Sequence, residues 1–344
     1  MAPAEACTVQ DLCLSMAQSC SSSCRSRPWM ELAGDDSAVQ ELYTIGDKIG
    51  EGSFGKVFQC KDRFAAPDGS PLCVKVMPLQ GRHQPRSVAK SSLEERQYLY
   101  SALLRWRHPN IVRYSKFILT DDSLHVVMER CMGPNLADFM TMNNDNLEVP
   151  SVRTAAEQML SAVATVHESG IMHRDIKTEN FQFHDAAATR LQLLDFGFAK
   201  HSPRVPMEHT ITGSLIYAAP EVLGGIYDHG CDLWGVGVVL FQIFAGYAPF
   251  DTSDVNILRS LHKDPVLTGD SLFRGIVWKR MTKPGKDLIR GLLTVDGSLR
   301  LSAEAALEHR WFKDAVAAGE EEAKLGSFRS LTQLKRNTLD MNLE

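Results

Sequence analysis

Polar and ionisable side chains crowd one short stretch of the chain, residues 173–180, which reads His-Arg-Asp-Ile-Lys-Thr-Glu-Asn. Binding and catalytic residues concentrate on loops that a rigid scaffold positions, so this stretch is a candidate catalytic loop. A further carboxylate, Asp195, directly follows an apolar strand pattern at 191–194 and begins the sequence Asp-Phe-Gly. The concentration of ionisable groups suggests that these two segments carry the catalysis.

Three glycines, at positions 50, 52 and 55, form a second candidate site. Glycine lets the backbone approach a phosphate closely and adopt positive φ. The same GxGxxG spacing also marks dinucleotide-binding folds, but here Lys56, Val57 and a strand follow it instead of a helix, which argues against such a fold. Lys75 lies inside the apolar strand pattern 72–76, and at this point it could equally be an exposed lysine on an edge strand.

Two regions of different pattern indicate how these residues are positioned. From Glu41 onwards, short apolar stretches broken by glycine predict strands, and beyond residue 135 helical patterns dominate. The order predicts an α+β fold with a small β-rich lobe followed by a larger helical lobe. Further strands are predicted at 111–114 and 124–128, a helix at 87–106, and a central buried helix at 231–246.

Composition narrows the class of protein. The chain has 344 residues, of which 44% are hydrophobic and 23% charged, as is typical of a globular protein. The formal net charge of −5 disfavours nucleic-acid binding. No run of about 18 apolar residues predicts a transmembrane helix. Eight cysteines are too few for a disulfide scaffold, and the N-terminus lacks a signal-peptide pattern, so we expect a cytoplasmic or nuclear protein.

Taken in order, the glycine-rich loop, the strand lysine, residues 173–180, Asp-Phe-Gly at 195–197 and Ala-Pro-Glu at 219–221 resemble the signature motifs of protein kinases. The resemblance implies a bilobal kinase fold for residues 42–312, with an N-lobe at about 42–130 and a C-lobe at about 131–312. Lys177 is typical of serine/threonine kinases. The stretches 195–200 and 245–250 resemble the calcium/calmodulin-dependent group, and most of all the calcium-dependent protein kinases.

The resemblance also implies roles for individual residues, with ATP and Mg²⁺ as cofactors. Asp175 would orient the substrate hydroxyl and accept its proton, Lys177 would neutralise the γ phosphate, and Lys75 would hold the α and β phosphates. Asn180 and Asp195 would bind Mg²⁺. The other nucleotide-binding positions implied are Ile49, Gly50, Glu51, Gly52, Ser53, Phe54, Gly55, Val57, Cys73, Glu95, Met128, Glu129, Cys131, Asn135 and Gln182.

Three features of this predicted nucleotide site depart from the family pattern: Glu95 lies about one helical turn further from residues 108–110 than usual, Cys73 stands where an alanine usually covers adenine, and the third is Gln182. Lys75 should pair with a glutamate of the following helix, and both Glu94 and Glu95 are available; we prefer Glu95 because Leu99, four residues on, can face the core. Gln182 stands where an apolar residue usually forms the floor of the adenine pocket. A polar floor should weaken ATP binding unless its amide is satisfied.

Regulation and partners are further expectations. Arg174 beside Asp175 suits control by a phosphate on the activation segment, for which Thr210 is the candidate. Residues 1–41, rich in Cys and Ser, are predicted to be mostly disordered, and palmitoylation of their cysteines is an alternative to a plain solvated tail. Residues 313–344 are predicted to be an autoinhibitory or calmodulin-binding segment, or else a plain terminal helix. We expect a monomer with protein substrates; the alternative is a catalytically silent kinase-fold scaffold.

Overall fold

The computed structural model describes most of the chain between residues 31 and 313. It divides into two compact units, a smaller one formed by residues up to Arg107 together with Val112–Arg130, and a larger one formed by His108–Ile111 and the chain from Cys131 onwards. The predicted α+β fold, with a β-rich part followed by a helical part, is confirmed. The described residues are 31–32, 35–52, 54–65, 69–79, 96–143, 149–201, 207–208, 214–252, 254–263, 270–275, 278 and 281–313.

The smaller unit is built on a six-stranded sheet with the strand order β1-β5-β6-β4-β3-β2. Val74, Ile118 and Val127 of its strands pack with Val39 and Tyr43 in a buried core. The position of β4 in the middle of the sheet excludes the edge-strand interpretation of Lys75. The strands are β1 (Glu31–Leu32), β2 (Tyr43–Gly52), β3 (Gly55–Asp62), β4 (Leu72–Pro78), β5 (Tyr114–Leu119) and β6 (Ser123–Glu129).

The segment just before the expected domain start is structured, which corrects our prediction of disorder up to residue 41 for the residues described. Strand β1 pairs in parallel with the edge of β5, and helix α1 (Asp36–Leu42) follows. The side chain of Asp35 caps α1, and Asp36 Oδ1 accepts a hydrogen bond of 2.6 Å from Thr120 Oγ1. Val39 is buried in the core of the sheet. Contacts with distant strands leave no periodic pattern in the seven residues of α1, so the sequence did not indicate this helix. Residues 1–30 lie outside the described residues.

Two predicted elements of the smaller unit differ from the structure. Helix α2 is described over Gln97–Arg105, and the earlier part of the predicted helix lies outside the described residues. The strand predicted at 111–114 begins only at Tyr114, because Ile111 forms an isolated bridge with Leu193 in the larger unit.

The larger unit is organised around the buried helix α6, which spans Gly230–Ala245 and confirms the prediction for this segment. It ends at Gly246, whose φ of 79° is accessible to glycine at little cost. No helix among the described residues is both long and apolar enough to span a membrane. The other helices are α3 (Leu136–Met142), α4 (Val149–Glu168), α5 (Pro220–Gly224), α7 (Val255–Lys263), α8 (Lys283–Leu292) and α9 (Ala303–Leu307).

Short two-stranded sheets position the loops of the larger unit. Strand β7 (Ile171–Met172) pairs with β10 (Lys200–His201), β8 (Phe181–Phe183) with β9 (Leu191–Leu193), and β11 (Met207–Glu208) with β12 (Ile226–Tyr227). The candidate catalytic loop therefore leaves β7 and returns into β8. Asp195 comes two residues after β9.

Arg300 and His262 are among the polar residues whose side chains are buried in the larger unit. Arg300 donates to both carboxylate oxygens of Glu221, with Nη2 2.9 Å from Oε2. His262 is only 3% exposed. Its ring packs edge-on against Trp234 and Phe250, with centroids 5.0 and 4.9 Å away, because α7 turns this face towards α6.

Candidate active site

The catalytic loop is held from below by Asp232 at the start of α6. Asp232 Oδ2 accepts the backbone N–H of His173, Oδ1 accepts that of Arg174, both at 2.8 Å, and His167 Nε2 lies 2.9 Å from Oδ2. Burial alone would raise the pKa of Asp232, but the hydrogen bond and charge of His167 hold that pKa below its ordinary value. Asp232 therefore anchors the catalytic loop to α6, and nothing in the sequence pointed to His167.

Arg174 has a φ of 64°, which is rare for a residue with a side chain. The backbone N–H groups of Arg174 and of the preceding His173 both donate to Asp232, and these bonds hold this conformation in place. The guanidinium Nε donates to Phe198 O at 2.7 Å, and Nη1 lies 3.5 Å from the hydroxyl of Tyr227. Arg174 therefore connects the catalytic loop to the segment after Asp195.

Asp175, Lys177 and Asn180 meet around one carboxylate oxygen. Lys177 Nζ donates to Asp175 Oδ2 at 2.7 Å, and Asn180 Nδ2 donates to the same oxygen at 2.9 Å and to Asp175 O at 2.7 Å. Asp175 is 6% exposed, so these charge-assisted bonds act in a largely desolvated site. The structure thus brings together three of the predicted catalytic residues.

Asp195 is placed beside this group by backbone contacts. Leu194 N donates to Asn180 O at 2.9 Å, and His173 Nε2 lies 2.8 Å from Leu194 O. Asp195 has a φ of 54°, and its Oδ1 accepts the N–H of Gly197 at 3.2 Å. The ring of Phe196 packs edge-on against His173 at 4.8 Å. The strained backbone of Asp195 is therefore fixed on both sides.

The donor atoms of Asn180 and Asp195 fit Mg²⁺. The Asn180 amide nitrogen is committed to Asp175, so the amide oxygen is the atom that this side chain can offer to a cation. Carboxylate and amide oxygens are the ligands that this hard cation takes.

A small, partly open pocket adjoins Asp175 in the larger unit and is lined by Ser214, Tyr217, Ala218 and Tyr227, among others. Tyr217 lies in a short 3₁₀ turn, and its hydroxyl is 3.0 Å from Thr178 Oγ1 of the catalytic loop. Burial raises the pKa of Tyr217 to about 12, so this hydroxyl stays protonated. The contact ties the segment after the activation loop to the catalytic loop.

In the smaller unit, Lys75 is buried in β4 at 7% exposure, and its Nζ lies 5.8 Å from the centre of the Phe54 ring. Its register neighbours are Val57 on β3 and Val126 on β6. A cation buried among apolar strands requires a polar or charged ligand to compensate it.

The glycine-rich loop is the turn between β2 and β3. Glu51 pairs with Lys48, and Ile49 is exposed. Packing demands a glycine at Gly55, because a Cβ there would lie 2.1 Å from Val76 O. Gly50 has room for a side chain, since its nearest neighbour is a Val57 carbon at 3.9 Å. Packing therefore does not explain the glycine at position 50.

The expected adenine-binding strand of the smaller unit is β6 and its end. Met128 is buried and lies opposite Cys73 in the β4–β6 register. Cys73 is also buried, its Sγ is 3.8 Å from Glu129 O, and burial raises the pKa of its thiol to about 12. The Glu129 N–H is taken by Arg113 O at 2.9 Å.

The remaining predicted nucleotide-binding residues lie in the larger unit. Gln182 Nε2 donates to Gly133 O at 2.9 Å and lies 3.5 Å from Cys131 O. The amide nitrogen is thus satisfied, which removes the reason for expecting Gln182 to weaken ATP binding. Asn135 caps α3: its Oδ1 accepts the Asp138 N–H and its Nδ2 donates to Asp138 Oδ2, both at 2.8 Å.

Several predicted positions lie outside the described residues. They are Ser53 of the glycine-rich loop, the alternatives Glu94 and Glu95, Thr210, and the tail beyond residue 313. Their roles remain predictions.

Comparison with known proteins agrees with the motifs. The sequence model of one family, described as protein kinase domain, matches residues 43–312. The chain is 30% identical over 283 residues to calcium-dependent protein kinase 3 of Plasmodium berghei (strain Anka), covering 80% of this chain and 47% of that protein. It is 31% identical over 286 residues to CDPK-related kinase 5 of Arabidopsis thaliana, covering 82% and 46%.

A third relative, calcium-dependent protein kinase 24 of Oryza sativa subsp. japonica, is 30% identical over 324 residues, covering 91% of this chain and 60% of that protein. The chain spans about half the length of the curated relatives it matches.

Proposed function

The chain belongs to the protein kinase family, and on that premise we propose that it transfers the γ-phosphoryl group of ATP to serine and threonine hydroxyl groups of proteins. The observation that carries the proposal is the buried Asp175 carboxylate held by Lys177 and Asn180. The relatives named calcium-dependent protein kinases support it as well.

The chain's own groups divide the work. Among the described residues, both hydrogen bonds to the Asp175 carboxylate are made to Oδ2, so Oδ1 would orient the substrate hydroxyl and accept its proton. Lys177 Nζ lies beside that carboxylate and offsets negative charge on the transferred group. In the smaller unit, Lys75 supplies a buried cation that would bind the α and β phosphates of ATP.

Protein kinases generally use ATP with Mg²⁺. When bound, the metal would supply charge neutralisation on the phosphates, and Asp195 and Asn180 are the residues that would hold it. Asn180 would then serve twice, because its amide nitrogen fixes Asp175 while its oxygen faces the cation.

A radiolabelled-ATP assay on a basic protein substrate tests the proposal. We expect incorporation into serine and threonine that depends on Mg²⁺ and is lost in Asp195→Ala. Equal labelling by the wild type and Asp195→Ala, or none by either, would overturn it. The second outcome would favour the catalytically silent scaffold. Against that alternative, the chain contains every predicted catalytic residue, and Lys177 and Asn180 both contact Asp175.

Regulation, partners and location are proposals of the same kind. We propose that residues 313–344 inhibit the kinase or bind a regulator such as calmodulin, because apolar and basic residues are interleaved between positions 325 and 336. Phosphorylation of Thr210 would act through Arg174, whose contacts already join the catalytic loop to the following segment. We propose a monomer in the cytoplasm or nucleus; the four described cysteines are buried and form no disulfide with one another, which agrees with a reducing compartment.

A further inference from the structure

The stretch 131–135 of the larger unit runs alongside β8 like a third strand. Met132 N donates to His184 O at 2.8 Å, Gly133 N to Phe183 O at 3.0 Å, and Phe183 N to Pro134 O at 2.9 Å. The approach is close enough that a Cβ on Gly133 would lie 2.3 Å from Asp185 O. Backbone hydrogen bonds therefore fix the stretch from Met132 onwards.

Gln182 and Gln192 lie opposite each other in the β8–β9 ladder, and the side chains of both contact Cys131. Gln182 points its amide nitrogen at the carbonyls of Gly133 and Cys131, as described above. Gln192 Oε1 accepts from the thiol of Cys131 at 3.2 Å and from Nδ1 of His184 at 3.3 Å. Gln192 is 2% exposed and Cys131 8%, so these bonds form away from water.

We propose that Gln182 and Gln192 form a clamp that positions the Cys131 backbone for adenine, with Gln192 acting as a positioning residue that does not itself touch the nucleotide. The inference rests on the proposed function, because it takes the backbone of Cys131 as an adenine-binding group. It adds that the affinity for the nucleotide is set partly by a buried side chain that no kinase motif contains.

Loss of the Gln192 amide should affect nucleotide binding more than the rate of phosphoryl transfer. Each neutral hydrogen bond contributes modestly to stability, so loss of the Gln192 contact should weaken nucleotide binding by about three- to tenfold. The groups that perform the transfer, Asp175 and Lys177, do not contact Gln192. Removal of its amide should therefore raise KM for ATP and change kcat less than twofold.

The substitution Gln192→Met tests this, because methionine has the length of glutamine without its amide. Calorimetric titration with ADP gives the affinity without turnover, steady-state kinetics give KM and kcat, and the melting temperature of the free protein reports folding. We expect an affinity for ADP about three- to tenfold lower than that of the wild type. An unchanged affinity and KM in a folded Gln192→Met protein would overturn the inference.

A double-mutant cycle keeps the test sharp if one variant loses stability. Cys131→Ala removes the thiol but keeps the backbone, so Gln192→Met should have no further effect on ADP affinity in that background. Cys131→Ser retains a donor and should bind ADP more tightly than Cys131→Ala. Full additivity of the two losses would contradict a direct contact between Gln192 and Cys131.

The companion substitution Gln182→Met separates the clamp from a simple packing role. If Gln182 served only as the floor of an adenine pocket, the apolar side chain would maintain or improve ADP binding. The clamp predicts weaker binding instead. If the wild type itself bound no ADP, the proposed function would fail; if the wild type, Gln192→Met and Gln182→Met all bound ADP equally well, only the clamp would fail.

Discussion

Replacing Asp232 by asparagine should detach the catalytic loop without changing the volume of the core. The carboxylate uses both oxygens, Oδ1 for the backbone N–H of Arg174 and Oδ2 for that of His173 and for His167 Nε2. An asparagine has one oxygen, so in either orientation its NH₂ group faces at least one N–H donor. Asp232 is 2% exposed, and water cannot take over the lost bond.

The size of the effect follows from these contacts. A hydrogen bond to a charged group contributes about 1.5–3 kcal/mol, and a buried donor left without an acceptor adds a penalty of about 1–3 kcal/mol. We expect the free energy of unfolding to fall by about 3–5 kcal/mol. Because Arg174 is held at a φ of 64° by these bonds, the loop should also relax, and a shift of about 1 Å in Asp175 lowers kcat on the order of 100-fold.

Urea denaturation and steady-state phosphorylation at 15 °C would measure both effects, with kcat compared at saturating ATP on protein that is still folded. Asp228→Asn is the matched control: Asp228 Oδ1 accepts only the Gly230 N–H at 2.8 Å among its described contacts, and an asparagine oxygen can do the same. We expect the control to change kcat less than twofold. A folded Asp232→Asn protein with the kcat of the wild type would refute the reasoning.

Further predictions concern stability and regulation. Burial and the charge of Arg300 lower the pKa of His262 from 6.5 to about 4, so its contribution to stability is complete above pH 6.5 and is lost as the pH falls towards 4. The free energy of unfolding should drop on the order of 3 kcal/mol across that range, and His262→Phe should flatten this part of the profile. Glu221→Ala leaves the buried Arg300 charge unpaired, and thermal unfolding should show a loss of about 3–5 kcal/mol; a loss below 1 kcal/mol would contradict the pairing. Truncation after Phe312 should raise activity, and unchanged activity would reject an inhibitory tail. Thr210→Ala should be less active than wild-type enzyme phosphorylated at Thr210. Full activity of this variant would count against phosphorylation of Thr210 as a switch.

The catalytic loop was predictable because its chemistry is contiguous in sequence. Asp175, Lys177 and Asn180 lie within six positions, and local backbone geometry suffices to bring them together. Asp232 was predictable from its place at the start of a nearly all-apolar helix, where a lone carboxylate has to serve buried donors. For such residues, type and spacing carried most of the information.

The residues that sequence reasoning missed depend on tertiary contacts. Histidine is a residue type common at protein surfaces, and His262 is buried because α7 turns it towards Trp234 and Phe250. Gln192 lies in a short strand, where a polar residue between two leucines does not indicate a role. Its role is apparent only in the structure, in which β9 places its side chain in contact with Cys131. Asp36 contacts Thr120 across 84 positions of sequence, which no local pattern reports.

The central claim, phosphoryl transfer assisted by Asp175, is tested most directly by comparing Asp175→Asn with the wild type at saturating Mg-ATP. ADP affinity measured by calorimetry on the same preparations shows whether the nucleotide site is intact. The account predicts that Asp175→Asn binds ADP like the wild type and phosphorylates protein substrate about 10²–10⁴-fold more slowly, the range associated with loss of a general base. Phosphorylation by Asp175→Asn at the rate of the wild type would contradict it.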